Sequence, residues 1–397
     1  MIRRTNLVIL IIALLISCHQ DEISEEQSKA FIKFFGNGDL VVTGMDVKQT
    51  ADGGYVVLGN AIYEDETTDI YLIGTDENGN SLGWSPKLIG NQYNDEGNRI
   101  IVLSDGFLIF GTTDLSGNGQ TDMYLVKTDP EGNVVWEKTI GGTSREEGYD
   151  IQVTATGDLI LAGVTDDPVI TTGNKSAYML VTSSDASVIR KRGTISYLDF
   201  EAEARAIREI TGGYMIIGTI TNMAASSSDI LLARSNESFT EILAKTAGRT
   251  RDDFGEDLYI SSGGEVYILG SSNNPQTNIS EVYFGQLEST LLEMTWTKIL
   301  SEPGFGLEAK GMAYSDQGFF AITGSRLSVA EQDMMFLRLD NTGQELNRKF
   351  YGESGFQEGH AIHYTPADNG FIITGTNDFE VFSMAAMVKT GPDGNLD

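Results

Sequence analysis

The chain has 397 residues, 45 of them Gly and only 7 Pro, and a formal net charge of −30. That charge excludes nucleic acid and anionic lipid as partners, because both are bound through basic patches. The plentiful β-branched and aromatic residues exclude a disordered chain, and many Gly with few Pro suit short strands joined by tight turns.

At the N-terminus, Arg3 and Arg4 precede an apolar run from Leu7 to Ile16. The run is too short to span a bilayer, so residues 1–17 read as a signal peptide. It ends in Leu15-Ile16-Ser17-Cys18, which resembles the lipobox of bacterial lipoproteins. The resemblance implies that Cys18, the only Cys in the chain, becomes the lipidated first residue of the mature protein. Residues 18–30 then form an acidic tether. Its Gln20-Asp21-Glu22 and Ser24-Glu25-Glu26 resemble the export signal of surface lipoproteins of Bacteroidota. That implies an outer-membrane anchor and display at the cell surface; a solvated spacer on the periplasmic face is the alternative. A single Cys forms no disulfide within the chain, so the fold rests on packing and strand pairing.

From residue 31 to 397 the sequence repeats. A Gly-flanked apolar strand recurs at Gly54–Gly59, Gly106–Gly111, Gly157–Gly163, Gly213–Gly218, Gly264–Gly270, Gly318–Gly324 and Gly370–Gly375, with closing glycines 51 to 55 residues apart. Each copy reads as four strands. A short strand precedes the Gly strand (Asp150-Ile151-Gln152-Val153), a third follows it (Asp122-Met123-Tyr124-Leu125), and a fourth carries an aromatic and a Lys (Trp136-Glu137-Lys138). The third and fourth are joined by Asp76-Glu77-Asn78-Gly79, Asp129-Pro130-Glu131-Gly132 and Asp340-Asn341-Thr342-Gly343, whose Asp and Gly are hairpin residues. The last copy stops after this turn, and Phe31–Gly36 has the pattern of the fourth strand it lacks. The expected fold is all-β: a seven-bladed β-propeller of four-stranded blades, closed by the N-terminal strand in blade seven. The repeats resemble the W-x-K-x-x-G-G propellers of bacterial secreted proteins and lipoproteins, a family of mixed function.

Several residues are candidates for a site. An acid recurs before the first strand of six copies: Glu96, Glu147, Glu203, Glu256, Glu308 and Glu358, with Thr43 in the remaining one. They read as a ring at the channel mouth. Recurrence favours a structural role, accepting backbone N–H groups of the neighbouring blade, over a binding role. Asp114, Ser116, Asn118 and Asp122 place oxygens at calcium-loop spacing, although the acid usual at the third position is Ser and the terminal Glu is missing. No other cofactor is required. His360 lies two residues after Glu358 and is a candidate pocket residue; His363, three further on, is expected on the opposite face of its strand. Trp84, Trp136 and Trp296 share one repeat position and read as packing residues, whereas Tyr63, Tyr149 and Phe254 are candidates for stacking on a ligand. No nucleophile elbow, P-loop or dinucleotide fingerprint occurs. The leading expectation is a non-enzymatic binding or scaffold module for a protein partner or outer-membrane complex. The alternatives are a glycan-binding lipoprotein serving polysaccharide uptake and a propeller-fold lyase or glycosidase.

Overall fold

The computed structural model describes residues 30–36, 38–91, 93–114, 120–352, 355–379 and 382–396. Cys18, residues 1–17 and the rest of the tether before Ala30 lie outside the described residues, as do Ser116 and Asn118.

Every regular element among the described residues is a β-strand. β1 is Phe31–Phe35, and β2 to β5 are Val41–Gln49, Tyr55–Ile62, Thr68–Thr75 and Lys87–Ile89. β6 to β9 are Asp95–Leu103, Gly106–Thr113, Asp122–Thr128 and Val134–Ile140. β10 to β13 are Glu146–Val153, Leu159–Thr165, Ser176–Thr182 and Ile189–Ile195. β14 to β17 are Phe200–Ile210, Gly213–Asn222, Ser227–Asn236 and Ile242–Ala247. β18 to β21 are Asp253–Ile260, Val266–Asn273, Ser280–Glu288 and Glu293–Leu300. β22 to β25 are Gly306–Tyr314, Phe319–Leu327, Gln332–Asp340 and Glu345–Tyr351, and β26 to β28 are Phe356–Thr365, Gly370–Asp378 and Ser383–Thr390.

These strands form five antiparallel sheets of four strands and one sheet of eight, which holds β22 to β28 and β1. Inside the eight-stranded sheet, β24 and β26 meet through one bridge, Gln332 with Phe356. The Gly-flanked apolar runs become second strands such as β7 and β11, buried along their whole length because a sheet covers each face.

The packing runs in a circle. β6 lies against β2, β3 and β4; β10 against β6, β7 and β8; β14 against β10, β11 and β12. The pattern continues through β18, β22 and β26, and β2 closes it by packing on β26, β27 and β28. Each apolar cluster of the core straddles one such junction. Phe284 of β20, for example, meets Phe320 of β23 with ring centroids 5.1 Å apart.

β1 pairs antiparallel with β28, from Phe31 opposite Lys389 to Phe35 opposite Ala385. It therefore takes the outer position beside the last strand, as β9 does beside β8. The recurring aromatic and Lys have a common task. A Cβ on Gly132 would lie 3.0 Å from the Trp84 ring, and one on Gly343 would lie 2.7 Å from Trp296. Gly79 stands in the same relation to Phe31, at 2.6 Å. At these three junctions the aromatic at or just before the outer strand tucks under the turn of the next sheet, and only Gly, here at φ near 74°, fits that turn. The Lys reaches the same turn: Lys33 Nζ donates to Asn80 Oδ1 at 3.2 Å, and Lys87 Nζ to Asn133 Oδ1 at 3.0 Å.

Candidate binding site at the channel mouth

The innermost strands, β2, β6, β10, β14, β18, β22 and β26, share one irregularity. Their pairing with the second strand shifts between Gly44 and Asp46, Gly97 and Arg99, Gly148 and Asp150, Ala204 and Ala206, Gly255 and Asp257, Ala309 and Gly311, and Gly359 and Ala361. Each strand carries a β-bulge at the same place, and a bulge re-aims the side chains around it. The bulged residues are Met45, Asn98, Tyr149, Arg205, Glu256, Lys310 and His360, and together with Arg99 they line one cavity of about 240 Å³ at the channel mouth. The residue before the bulge is always Gly or Ala. The second residue after Asp46 or its counterparts' preceding bulge, from Val47 to Ile362, is always apolar and buried or nearly so. The bulged position differs in every copy, as does the position three further on, from Lys48 to His363.

The bulge changes two expectations from the sequence. Aligned on the bulge, the copies make Phe254, and not Glu256, the counterpart of Glu96, Glu147, Glu203, Glu308 and Glu358. Glu256 sits one layer deeper, among the bulged residues. The bulge also reverses the strand's phase, so that His360 and His363, three apart, both line the central channel instead of pointing to opposite faces.

The rim acids do not accept backbone N–H groups of the neighbouring sheet, as the repeat led us to expect. That task falls to side chains of the second strands and to three buried aspartates. Asn60 Oδ1 accepts from Gly97 N at 2.8 Å and Thr112 Oγ1 from Gly148 N at 3.2 Å. Asp46, Asp150 and Asp257 accept from Ile100 N, Ile207 N and Met312 N at 3.0, 3.0 and 3.2 Å. Three of the rim acids bind side chains instead. Glu147 accepts from Tyr149 Oη at 2.5 Å and from Arg145 Nε at 2.7 Å. Glu203 pairs with Arg205 at 2.6 Å and with Lys175. Glu358 meets His360 Nε2 at 3.0 Å and Gln332 at 3.0 Å, and in the layer below Glu256 pairs with Lys310 at 3.1 Å. Among the described residues Glu96 and Glu308 make no hydrogen bond or ion pair. Desolvation and the neighbouring Glu147 push the Glu96 carboxyl up, whereas the His360 contact holds Glu358 down.

Below the mouth the channel widens to a cavity of about 690 Å³. Lys48, Arg99 and Arg208 cross its wall and meet the three aspartates. Arg208 bridges Asp150 at 2.5 Å and Asp257 at 2.8 Å, and Lys48 meets Asp46 at 2.6 Å. Burial drives Asp257 up; at Asp46, Lys48 and Arg99 outweigh burial and hold the carboxyl down. Burial, aided by Lys48, pushes His363 down to about 4, so its ring is neutral at pH 7.

Of the candidate stacking residues, Tyr149 has the Arg205 guanidinium over its ring at 4.3 Å, and Tyr63 donates to Asp69 at 2.8 Å. Phe254 is 38% exposed at the rim. Of the calcium-loop residues, Asp122 is turned toward the junction with the next sheet. A Cβ on Gly141 would sit 1.7 Å from Asp122 Oδ1 and 2.7 Å from Glu146 Oε2. Among the described residues no group of three or more His, Cys, Asp or Glu is placed to hold a metal.

The Asp122–Glu146 pairing recurs. Asp69 and Asp95 flank Gly90 in the same way, while Asp333 faces the amide Gln357 across Gly352. Desolvation raises Asp95, Asp122 and Glu146 above their ordinary values of 3.8, 3.8 and 4.5, and the Asp122 charge raises Glu146 further. A carboxyl raised on folding stabilises the fold below its unfolded pKa, and that stability is lost as pH rises through the folded value. Asp122→Asn is expected to stabilise the protein at neutral pH by about 1 kcal/mol and to leave it unchanged at about pH 4. Thermal unfolding of both proteins across that pH range is the check; a variant less stable at neutral pH contradicts it.

No family model matches the chain, and no curated protein does. Solved structures do. An ulvan lyase of polysaccharide lyase family PL25 superposes with a TM-score of 0.58 at 10% identity, over 92% of this chain and 97% of the lyase. The β-propeller domain of the trilobed protease from Pyrococcus furiosus gives 0.52 at 9% identity, over 92% and 97%. An α-L-arabinofuranosidase from Fusarium graminearum gives 0.51 at 7% identity, over 91% and 97%. The chain is similar to these in fold, and that fold is a β-propeller.

Proposed function

We propose that this protein is a lipid-anchored binding module whose ligand or partner seats on the mouth ringed by the bulged residues. One observation carries the reading. The backbone repeats the same bulge around the mouth, with Gly or Ala before it and a buried apolar residue two positions after it in every copy, yet the bulged side chain itself is different each time. Structural demands are met alike in each copy, so the variation points to recognition. We count seven blades, taking β22 to β25 as one and β26 to β28 with β1 as another, because a separate apolar cluster lies between them.

Arg3, Arg4, the apolar run and Cys18 support anchoring at the outer membrane. β1 supports an orientation. Rim residue Glu358 pairs near the start of β26, and Asp378 and Ser383 lie at the same end of the sheet. Phe31 pairs at the opposite end, beside Lys389. The tether therefore leaves from the face away from the mouth, which turns the mouth outward from the membrane. In cells, Cys18→Ser is expected to abolish labelling with a palmitate analogue and to release the protein from the membrane fraction. Crosslinking in native membranes is expected to trap a ligand or partner that Phe254→Ala or Lys310→Met loses. An identical crosslinking pattern for wild type and both variants would refute the mouth as the binding face.

A second reading is an enzyme acting on a polysaccharide. It is favoured by the convergence of Tyr149, Arg205, Lys310 and His360 on one cavity, in a fold shared with a lyase and a glycosidase. Product release from uronate-containing polysaccharides or arabinans that disappears in His360→Gln would establish it.

A further inference from the structure

We propose that the mouth takes the terminal ring of an uncharged glycan, stacked on Phe254 and hydrogen-bonded by the bulged residues. This rests on the reading of the mouth as a binding face and names what it binds.

The first argument is charge. Every cation in the small cavity already faces an anion: Arg205 faces Glu203, Lys310 faces Glu256, and Arg99 lies 3.6 Å from Asp150. His360 donates from Nδ1 to the Gly44 carbonyl at 2.7 Å while Nε2 meets Glu358. An anionic ligand would have to displace a carboxylate from its partner, and a cationic one would have to displace a guanidinium or ammonium group. Breaking such a pair leaves a desolvated charge behind. A hydroxyl needs no such exchange. It donates to a carboxylate oxygen and accepts from a guanidinium N–H while the ion pair stays intact, and neighbouring hydroxyls on one ring can do both at once.

The second argument is size. About 240 Å³ lies below the roughly 300–1,000 Å³ of pockets that enclose drug-sized ligands, so the cavity holds one ring and the rest of the ligand projects outward.

The third is the rim. Phe254 replaces the acid found at most of the corresponding positions and remains exposed there. An aromatic face is electron-rich and attracts positively polarised C–H groups, which one face of a pyranose presents. At the same level on the next inner strand stands Glu308, whose carboxylate makes no hydrogen bond or ion pair among the described residues. An aromatic platform beside an unengaged acceptor matches a ring that is apolar on its face and hydroxylated at its edge.

The test is a glycan array probed with the full chain in detergent, followed by titration calorimetry on the best hits. The array carries oligosaccharides ending in neutral hexoses, in uronates and in amino sugars. Binding to neutral ends is expected, with at least a tenfold loss in Phe254→Ala, a severalfold loss in Glu308→Gln and an unchanged thermal midpoint in both. Binding only to uronate ends, lost in Lys310→Met, overturns the uncharged ligand but keeps the mouth as the binding face. Binding to no sugar overturns the proposal outright. The membrane crosslinking of Phe254→Ala then decides separately whether the mouth binds anything.

Discussion

Deleting residues 30–36 is expected to abolish the protein's single cooperative unfolding transition and to yield a species that aggregates at room temperature. β1 supplies the backbone partners of β28 from Ala385 to Lys389. It also buries Phe35 among Val42, Tyr55 and Met387, and sets Phe31 edge-on to Tyr55 with ring centroids 6.1 Å apart. Two large apolar side chains contribute about 1.5–3 kcal/mol each, and each ladder bond about 0.5–1.5 kcal/mol. The loss is on the order of 5–10 kcal/mol, comparable with the whole stability of a typical domain. It also frees an apolar edge that can pair with another chain. Calorimetry and size exclusion read the outcome, and adding a synthetic peptide of residues 30–36 is expected to restore part of the transition. A truncated protein that melts at the wild-type temperature would show that the clasp is dispensable.

Arg208→Met is expected to be the most damaging single substitution in the channel, at about 2–4 kcal/mol. The guanidinium is shared by Asp150 and Asp257, and the Asp150 side chain is only 2% exposed. Burial pushes Arg208 down, but these two carboxylates outweigh it and hold the group firmly charged. Without it, two desolvated carboxylates are left without their shared partner, one on each of the sheets that flank β14. The side chain of Arg208 is 25% exposed to the channel, so solvent entering the gap keeps the loss from the top of the range for fully buried pairs. Urea unfolding should show a lower midpoint with an unchanged slope. Adding Asp150→Asn to the same chain should recover part of the loss; a double variant no better than Arg208→Met would place the damage elsewhere.

Much of the fold was legible because its strands obey simple rules. Runs buried on both faces are apolar from end to end, as in Phe107 to Phe110, and the Gly that closes each run meets backbone: a Cβ on Gly111 would lie 1.9 Å from the Glu96 carbonyl. The clasp was legible because the last repeat ends one strand short and Phe31-Ile32-Lys33 supplies its aromatic and Lys. The site was read less well. Alternation along a strand assumes unbroken period two, and a bulge adds a residue that no alternation reveals. That put His363 on the wrong face. Glu256 was put in the wrong layer because it stands four residues before an apolar residue, Ile260, just as Glu96 stands before Ile100, whereas Leu258 is the true counterpart of Ile100. The column Gly44, Gly97, Gly148, Ala204, Gly255, Ala309, Gly359 was visible in the sequence, and aligning on it exposes the variable residue that follows. The Arg208 bridge was not legible, because its partners lie on two other repeats and no spacing within a repeat encodes them.

The direction of β1 has a mechanical consequence. The strand begins at the face away from the mouth and runs parallel to the edge it closes, so a pull on residue 30 from below acts along the strand axis. The five residue pairs from Phe31–Lys389 to Phe35–Ala385 then bear the load together, in shear, instead of parting one after another as a zipper would. Under the proposed anchoring, a swaying envelope or a bulky captured load would therefore pull on the clasp along its strand axis.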